Sequence, residues 1–507
     1  MSPNPKLKRN LFRLLDALKS SPLRQASAVD YIGQCTGLKT RVLLREAAAS
    51  GKAARGVAAL NPADLALIAS HFVYDGSGYF LRSDDGTTWG PRCRVDCLLD
   101  LEAVRGLSRR AGRDGGVSPA ESALSLIQRT REVDIAIELG GLPAGLHVLN
   151  GNRVLVPRER RPLPGVAGDA SPAVEFVQNL LGRGTDPEWE HQYALLLGWL
   201  KWWREALSGF GLHRPRQFIA FVGPSGCGKS KLQTDITKLV GGRQADAGLW
   251  LLGETAFNAD MWCADHIVLS DATLNNRPGV RKSLRDKIKE LVSNPLYPYH
   301  AKGKTLRTLP HLWGVSLSCN DDAASATIIP EIDASAAARF SYLKTYAPPA
   351  PFPSTGTPHG DSYWAAIDAS LPAFAALVDA FEVPPAISEP RWGVAAWRHP
   401  AVMELIEQTH PDAELGTLLD DMLHGQAQSE VSQTAVDWWG ELHVNREWAF
   451  RRMCPDAKAL GQALRRLMDS TGWAGRIKSE TRKFGPNRQP KNVWTLSKTA
   501  DSHSHEA

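Results

Sequence analysis

Cysteine is scarce in this chain. Seven are scattered over 507 residues, an odd number and too dispersed for a disulfide framework, so a reducing compartment, the cytoplasm of a bacterial or host cell, is the expected setting. Long hydrophobic runs are lacking as well. The longest candidate, Tyr193–Trp203, contains Lys201 and is followed by Arg204, well short of the ~18–20 apolar residues that a bilayer span needs. No membrane partner is expected. The basic start (Lys6, Lys8, Arg9) leads into Leu11–Leu18, which Arg13 and Asp16 interrupt, so a secretory apolar core is not expected. Charge of one sign is also missing. A net +5 permits a nucleic-acid partner without demanding one, and the placement of the basic residues has to decide. There is no internal repeat. No apolar strand carries the Asp-x-Asp pair that a primase or polymerase needs to hold two metal ions; Asp84, Asp85, Asp96 and Asp100 sit in loop or helix contexts. Cys93 and Cys97 have no second Cys or His pair at zinc spacing.

With 43% apolar and 22% charged residues the composition is that of a globular chain, long enough for roughly three domains. Residues 1–69 read as a helical region, with Leu11, Leu14, Leu15 and Leu18 at helical spacing. Residues 70–160 read as an α+β module, its short aromatic and β-branched runs punctuated by Asp75-Gly76, Asp85-Gly86 and Asn150-Gly151. A helical connector, 161–213, follows, with Trp199, Trp202 and Trp203 near its end. Strand and helix patterns alternate over 214–347, the expected α/β core with a parallel sheet. Prolines mark a linker at 348–362, helical patterns resume over 363–440, a compact basic unit occupies 441–497, and 498–507 reads as a polar tail.

Phe218–Val222 is a fully apolar run of the kind a buried parallel strand shows. It runs directly into Gly223-Pro224-Ser225-Gly226-Cys227-Gly228-Lys229-Ser230 and then into a helical pattern. This is G-x-x-x-x-G-K-[ST] in its strand–loop–helix context. Glycines let backbone N–H groups turn toward phosphate oxygens, and the helix N-terminus adds partial positive charge. Lys229 supplies a cation for the β- and γ-phosphates, and Ser230 a hydroxyl for Mg²⁺. The motif predicts binding of ATP with Mg²⁺. A second apolar strand, Ile267–Leu269, ends near Asp271, the candidate acidic partner of the metal. The next residue is Ala272, where a glutamate polarising the attacking water is often placed; Glu254, Asp286 and Glu290 are alternatives among which the sequence does not choose. A third strand pattern, Trp313–Ser318, leads to Asn320, a candidate for orienting that water or sensing the γ-phosphate. Arg339 lies about twenty residues further on. Its guanidinium is a candidate for stabilising transition-state charge, in its own subunit or a neighbour's.

This series resembles superfamily-three helicases, the AAA-like ring motors, and more narrowly the helicase half of virus- and plasmid-type primase-helicases (the poxvirus-type primase family and its phage and mobile-element relatives). Thr255-Ala-Phe-Asn258, Ser318-Cys-Asn320-Asp321 and Ile329-Pro330 add to the likeness, whose detailed part covers 214–347. The resemblance implies an AAA-like P-loop ATPase core and a homo-oligomeric, hexameric ring. It also implies a DNA helicase or translocase in the replication of a phage, plasmid or integrated element, served by a separate primase. A rival reading is an ATP-binding, DNA-binding switch, initiator or defence scaffold with little hydrolysis, which Ala272 favours.

In that family a pore-facing hairpin between the second and third strands grips single-stranded DNA, and the corresponding stretch here is Pro295–Arg307. His300, Lys302, Lys304 and Arg307 are its candidate DNA contacts, with Tyr297 and Tyr299 beside them as stacking surfaces. The same residues also suit a solvated loop. Upstream, Arg281, Lys282, Arg285, Lys287 and Lys289 form another basic stretch. In the last unit, Leu460, Leu464 and Leu467 share a helix face opposite Arg465 and Arg466. Arg476, Lys478, Arg482, Lys483, Arg488 and Lys491 then surround Gly485-Pro486. A helix followed by a basic two-stranded wing predicts a winged-helix-like domain and contact with duplex DNA.

Overall fold

The computed structural model describes residues 62–498 apart from 112–115, 210–213, 271–279, 327, 331, 333–335, 348–355, 409–411, 425–427, 446–449, 451–452, 469–472, 474 and 485–488. Asp271, Ala272, Arg488, most of the 1–69 region and nearly all of the 498–507 tail therefore lie outside the described residues. Among the described residues no helix is long and apolar enough to cross a membrane. The chain divides into two compact units.

The described part of the first unit is 62–160 with Arg307–His311. It holds an antiparallel sheet of Phe72–Tyr74, Tyr79–Arg82 and Trp89–Arg92, and a mixed sheet of Ile135–Ala136, Asn152–Val156 and Gly145–Leu149. Asn150 and Gly151 both have positive φ, 48° and 76°, the two-residue turn whose twist suits a hairpin. Helix Pro119–Thr130 starts on the Ser118 side chain, which accepts from the Glu121 N–H, and buries Ala123, Leu124 and Ile127 on one face.

The second unit is built on five parallel strands: β1 (Phe218–Gly223), β2 (Gln244–Ala245), β3 (His266–Ser270), β4 (Gly314–Asn320) and β5 (Phe340–Lys344). Their spatial order is β5-β1-β4-β3-β2. Every residue of β1 is buried, which its unbroken apolar run anticipates. Helices α1 (Ser171–Leu180), α2 (Trp189–Ser208), α3 (Lys229–Val240) and α4 (Pro358–Ala380) contribute Phe176, Trp199, Trp203, Ile236 and Phe374 to one core with Ile219 and Phe221 of β1. The α2 tryptophans act as pegs: Trp199 Nε1 donates to Gln217 O at 2.9 Å, and Trp203 Nε1 to Leu312 O at 2.9 Å. Both acceptors lie just ahead of central strands. Trp203 also explains Gly314, where an added β-carbon would sit 2.5 Å from its ring.

Two boundaries differ from the sequence reading. The proline-rich segment does not extend to 362, because α4 begins at Pro358 with Thr357 accepting from the Gly360 N–H; Pro358 is a first-turn proline, not linker. Likewise 363–440 is not one region: α4 packs into the sheet core, while Leu415, Leu419 and Leu423 belong to the C-terminal core. That core joins α5 (Ala413–His424), β6 (Glu430–Thr434), α6 (Ala435–Asn445), α7 (Ala457–Met468), β7 (Ile477–Phe484) and β8 (Gln489–Ser497), with an antiparallel sheet in the order β6-β8-β7. Leu460, Leu464, Leu467, Trp438 and Trp494 fill it.

A polar layer lies inside the sheet core. His266 Nδ1 is 2.8 Å from Thr237 Oγ1 and its Nε2 2.9 Å from Ser316 Oγ, which also accepts from Gln233 Nε2 at 2.9 Å. Burial pushes the imidazole down to about 3, so it is neutral in the folded chain throughout the working range. In the unfolded chain it takes up a proton below about pH 6.5. Stability from this group is thus present above that pH and lost as pH falls toward 3, by about 2 kcal/mol at pH 5. Urea midpoints at pH 7 and pH 5 check this, and His266→Gln should flatten the difference; an equal slope in both proteins would contradict it.

Candidate functional site

The C-terminal end of β1 delivers Gly223 into the glycine loop, and α3 leaves it at Lys229. Three features keep that loop free of side chains. An added β-carbon at Gly223 would sit 2.2 Å from both Thr345 O and Thr345 Oγ1, and one at Gly228 would sit 3.0 Å from Phe176 Cε2. Gly226 and Gly228 have φ of 75° and 111°, a region that glycine enters at no steric penalty. Cys227 is buried with its Sγ 3.5 Å from Thr345 Oγ1. Ser225 and Ser230 are exposed, and Pro224 is half-buried.

Lys229 is only 7% exposed. Its Nζ donates to Gly223 O at 2.8 Å, Pro224 O at 2.7 Å and Asn320 Oδ1 at 3.0 Å. The last bond exists because β4 lies beside β1 in a register that sets Asn320 opposite Gly223. Two candidates separated by 91 positions are thus brought into direct contact. β3 runs alongside with Ser270 opposite Ser318, so the chain leaves β3 at the same end of the sheet; Asp271 itself is outside the described residues. Glu254, Asp286 and Glu290 are exposed, and Asp286 lies 3.2 Å from Arg285 Nε.

Arg339 is not brought to this end. It sits in a turn, not on a helix, immediately before β5, where its carbonyl accepts from the Phe218 N–H at 2.9 Å. That is the start of β1, with the glycine loop about 17 Å away at ~3.3 Å per residue. Its Nε donates to Ser293 Oγ at 2.6 Å. In this chain Arg339 therefore cannot serve its own glycine loop.

The 295–307 stretch departs from the sequence reading in its tyrosines. Tyr297 and Tyr299 are buried, not stacking surfaces: Tyr297 packs edge-on against Trp250 and Trp313, and Tyr299 against Trp262. The period-two alternation of the strand Leu296–Tyr299 turns both rings inward and Leu296 outward. Beyond them, His300 N–H donates to Asn258 Oδ1 at 2.8 Å, and its ring lies 4.9 Å from that of Phe257. Phe257 is 42% exposed. It is an aromatic surface that the sequence reading did not single out, although an isolated Phe beside a polar Thr255 and Asn258 was its signal. Gly303 at φ 76° closes a turn that leaves Lys302 exposed and Lys304 half-buried. Arg307, within the first unit, pairs with Asp134 at 2.9 Å. Lys287, from the upstream basic stretch, is turned inward; its Nζ donates to Trp250 O and Leu251 O at 3.1 and 2.7 Å. Those carbonyls end the helix Gly248–Leu252, a position that favours a cation.

In the C-terminal unit Arg466 holds the buried Asp412 with bonds of 2.7 and 2.8 Å. Arg476 pairs with Asp420 and stacks 3.9 Å over Trp473. Arg476 is therefore not an open surface cation, which corrects one member of the expected basic set, whereas Arg466 keeps an exposed side chain beside its ion pair. Lys458, Gln462, Arg465 and Arg466 are exposed on α7, and Lys483 and Lys491 lie on the exposed β7–β8 ribbon. No group of His, Cys, Asp or Glu able to hold a metal occurs among the described residues.

No protein-family profile matches the chain, and no curated protein does. Among solved structures, the apo structure of the NrS-1 C-terminal region (305-718) is similar with a TM-score of 0.50 at 10% identity, over 86% of this chain and 100% of that one. An A-form apo structure of the same region aligns with a TM-score of 0.49 at 12% identity, over 85% and 98%. At such identities the likeness is one of fold: a mixed α/β chain around a parallel sheet.

Proposed function

We propose that this chain is an ATP-hydrolysing DNA helicase or translocase that works as a homo-oligomeric ring, a hexamer, in the replication of a phage, plasmid or integrated element. The observation that carries the proposal is the Lys229–Asn320 contact at the tip of a buried parallel strand, inside a loop that two glycines keep open. A triphosphate fits this cradle: backbone N–H groups and the N-terminus of α3 face it, and Lys229 can exchange carbonyl oxygens for phosphate oxygens. Mg²⁺, held by Ser230 and Asp271, would neutralise charge on the β- and γ-phosphates. Asn320 then holds the attacking water or the γ-phosphate. Arg339, lying at the other end of the sheet, serves the site of the adjacent subunit, which makes the ring a condition of turnover.

Lys302 and Lys304 track the phosphates of single-stranded DNA, and the Phe257–His300 pair offers a ring face to a base. Among the described residues the C-terminal part runs helix–strand–helix–helix–strand–strand, an order that supports a winged-helix reading. Lys458, Gln462 and Arg465 with the β7–β8 ribbon present it to duplex DNA. A separate primase would complete the system. The reading as a nucleotide-dependent switch keeps one specific support, Ala272 in place of an acid.

Steady-state hydrolysis with and without single-stranded DNA tests the proposal. We expect stimulation of at least about tenfold. Lys302→Ala with Lys304→Ala should remove it while nucleotide binding stays intact, and Phe257→Ala should weaken it. Unstimulated, near-zero turnover in the unaltered protein would favour the switch; unchanged stimulation in the double variant would refute the DNA loop.

A further inference from the structure

The tip of β4 carries three consecutive polar residues, and each has its own anchor. Asn320 accepts from Lys229 Nζ at 3.0 Å. Asp322 starts the short helix Ala323–Ala326, its Oδ1 accepting from the Ser325 N–H at 2.9 Å. Between them, Asp321 Oδ2 accepts from Lys344 Nζ at 2.7 Å. Lys344 closes β5, opposite Val222 of β1. Since β5 and β4 flank β1 on its two sides, the Asp321–Lys344 ion pair spans the end of β1 just where the glycine loop begins.

The β5 end of this bridge is a fixed post. The Lys344 N–H donates to Gln192 Oε1 at 2.8 Å, and the Thr345 N–H to Val222 O at 2.7 Å. Thr345 packs directly against Gly223. Tyr346 N–H donates to Leu180 O at 2.8 Å, and its hydroxyl to Asp186 Oδ2 at 2.9 Å. The same buried carboxylate oxygen receives Gln192 Nε2 at 3.1 Å and lies 2.8 Å from His399 Nε2. The backbone that carries Lys344 is thereby a fixed reference, whereas the chain leaving β4 passes through a bend at Asp321 and Asp322 before the short helix Ala323–Ala326.

We infer that Lys344 is a positioning residue for the site proposed above: through Asp321 it fixes the tip of β4, so that Asn320 stays aligned with the glycine loop when Lys229 turns from it to a phosphate. The inference rests on the nucleotide-hydrolysis reading. The role assigned to Lys344 runs through its bond to Asp321 and not through contact with the nucleotide. Its loss therefore lowers the rate of the chemical step and leaves affinity alone, because Asn320 acts on the reacting end and the glycine loop supplies most of the binding.

The test compares the full chain with Lys344→Met, Lys344→Arg, Asp321→Asn and the exchanged pair Lys344→Asp with Asp321→Lys. Lys344→Met and Asp321→Asn should each lower kcat at least tenfold with KM and nucleotide Kd changed less than twofold. Lys344→Arg should keep most of the rate, and the exchanged pair should recover part of it. Unchanged kcat in both single variants, or a rise in Kd matching the fall in kcat/KM, would overturn the inference. Hydrogen exchange of the amides at 319–326 provides the separate arm. It should accelerate in Lys344→Met and return to normal in Lys344→Arg, even if the unaltered protein proves not to hydrolyse ATP, in which case the functional reading fails and not the positioning role. Unaltered exchange in Lys344→Met would refute the role itself.

Discussion

Lys229→Ala should abolish ATP hydrolysis, lowering turnover by about a hundredfold or more. The physical reason is the position of this positive charge inside the cradle. Lys229 is the cation that α3 places among the loop's own carbonyls, and its three oxygen partners are Gly223 O, Pro224 O and Asn320 Oδ1. Removing it takes the Nζ donor away from those three acceptors in the empty state. In the loaded state it would take the lysine's charge away from the phosphate chain, which the backbone amides and the proposed Mg²⁺ cannot replace. The fold should persist, since the buried apolar contacts of α3 come from Leu232, Ile236, Leu239 and Val240. Steady-state turnover, with circular dichroism to confirm folding, decides the matter. Full activity in the variant would remove the glycine loop from the chemistry.

Arg339→Ala should be about as damaging, near the thousandfold expected for loss of an arginine that meets transition-state charge, with nucleotide affinity retained. Its consequence on mixing is more specific. Arg339 lies by the N-terminal end of β1 and the glycine loop by the other. A site completed across a subunit boundary then takes its loop from one chain and its guanidinium from the next. Mixing Arg339→Ala chains with Lys229→Ala chains should regenerate intact sites and restore measurable hydrolysis from two inactive proteins. No recovery under conditions where the chains exchange would exclude the assignment of Arg339.

How far the sequence revealed all this depended on what kind of contact was involved. Phe218–Val222 could be read as a strand because a parallel strand covered on both sides is apolar throughout. Asn150-Gly151 could be read as a turn because few residues tolerate two successive positive φ angles. Lys229 and Asn320 were each expected at the nucleotide site from the order of motifs, but the bond between them was not foreseen and depends on β4 lying next to β1. Arg339 shows the limit: its position in the chain is that of a site residue, and only the direction of β5 reveals that it faces away. Tyr297 and Tyr299 were misjudged for a related reason. With Pro298 between them, the run is too short for its alternation to say which face is buried, and their partners Trp250, Trp262 and Trp313 are distributed over more than sixty positions. Asp186 and His399, 213 residues apart, carry no local signal at all.

Those inward-facing tyrosines also bear on the exposed turn at Lys302. Its root is clamped in a block of indole and phenol rings shared with the helix Gly248–Leu252 and with Trp313 at the foot of β4. A stem gripped in this way does not flex like a tether. If the proposed translocation holds, the turn would move together with this block of rings and not independently of it.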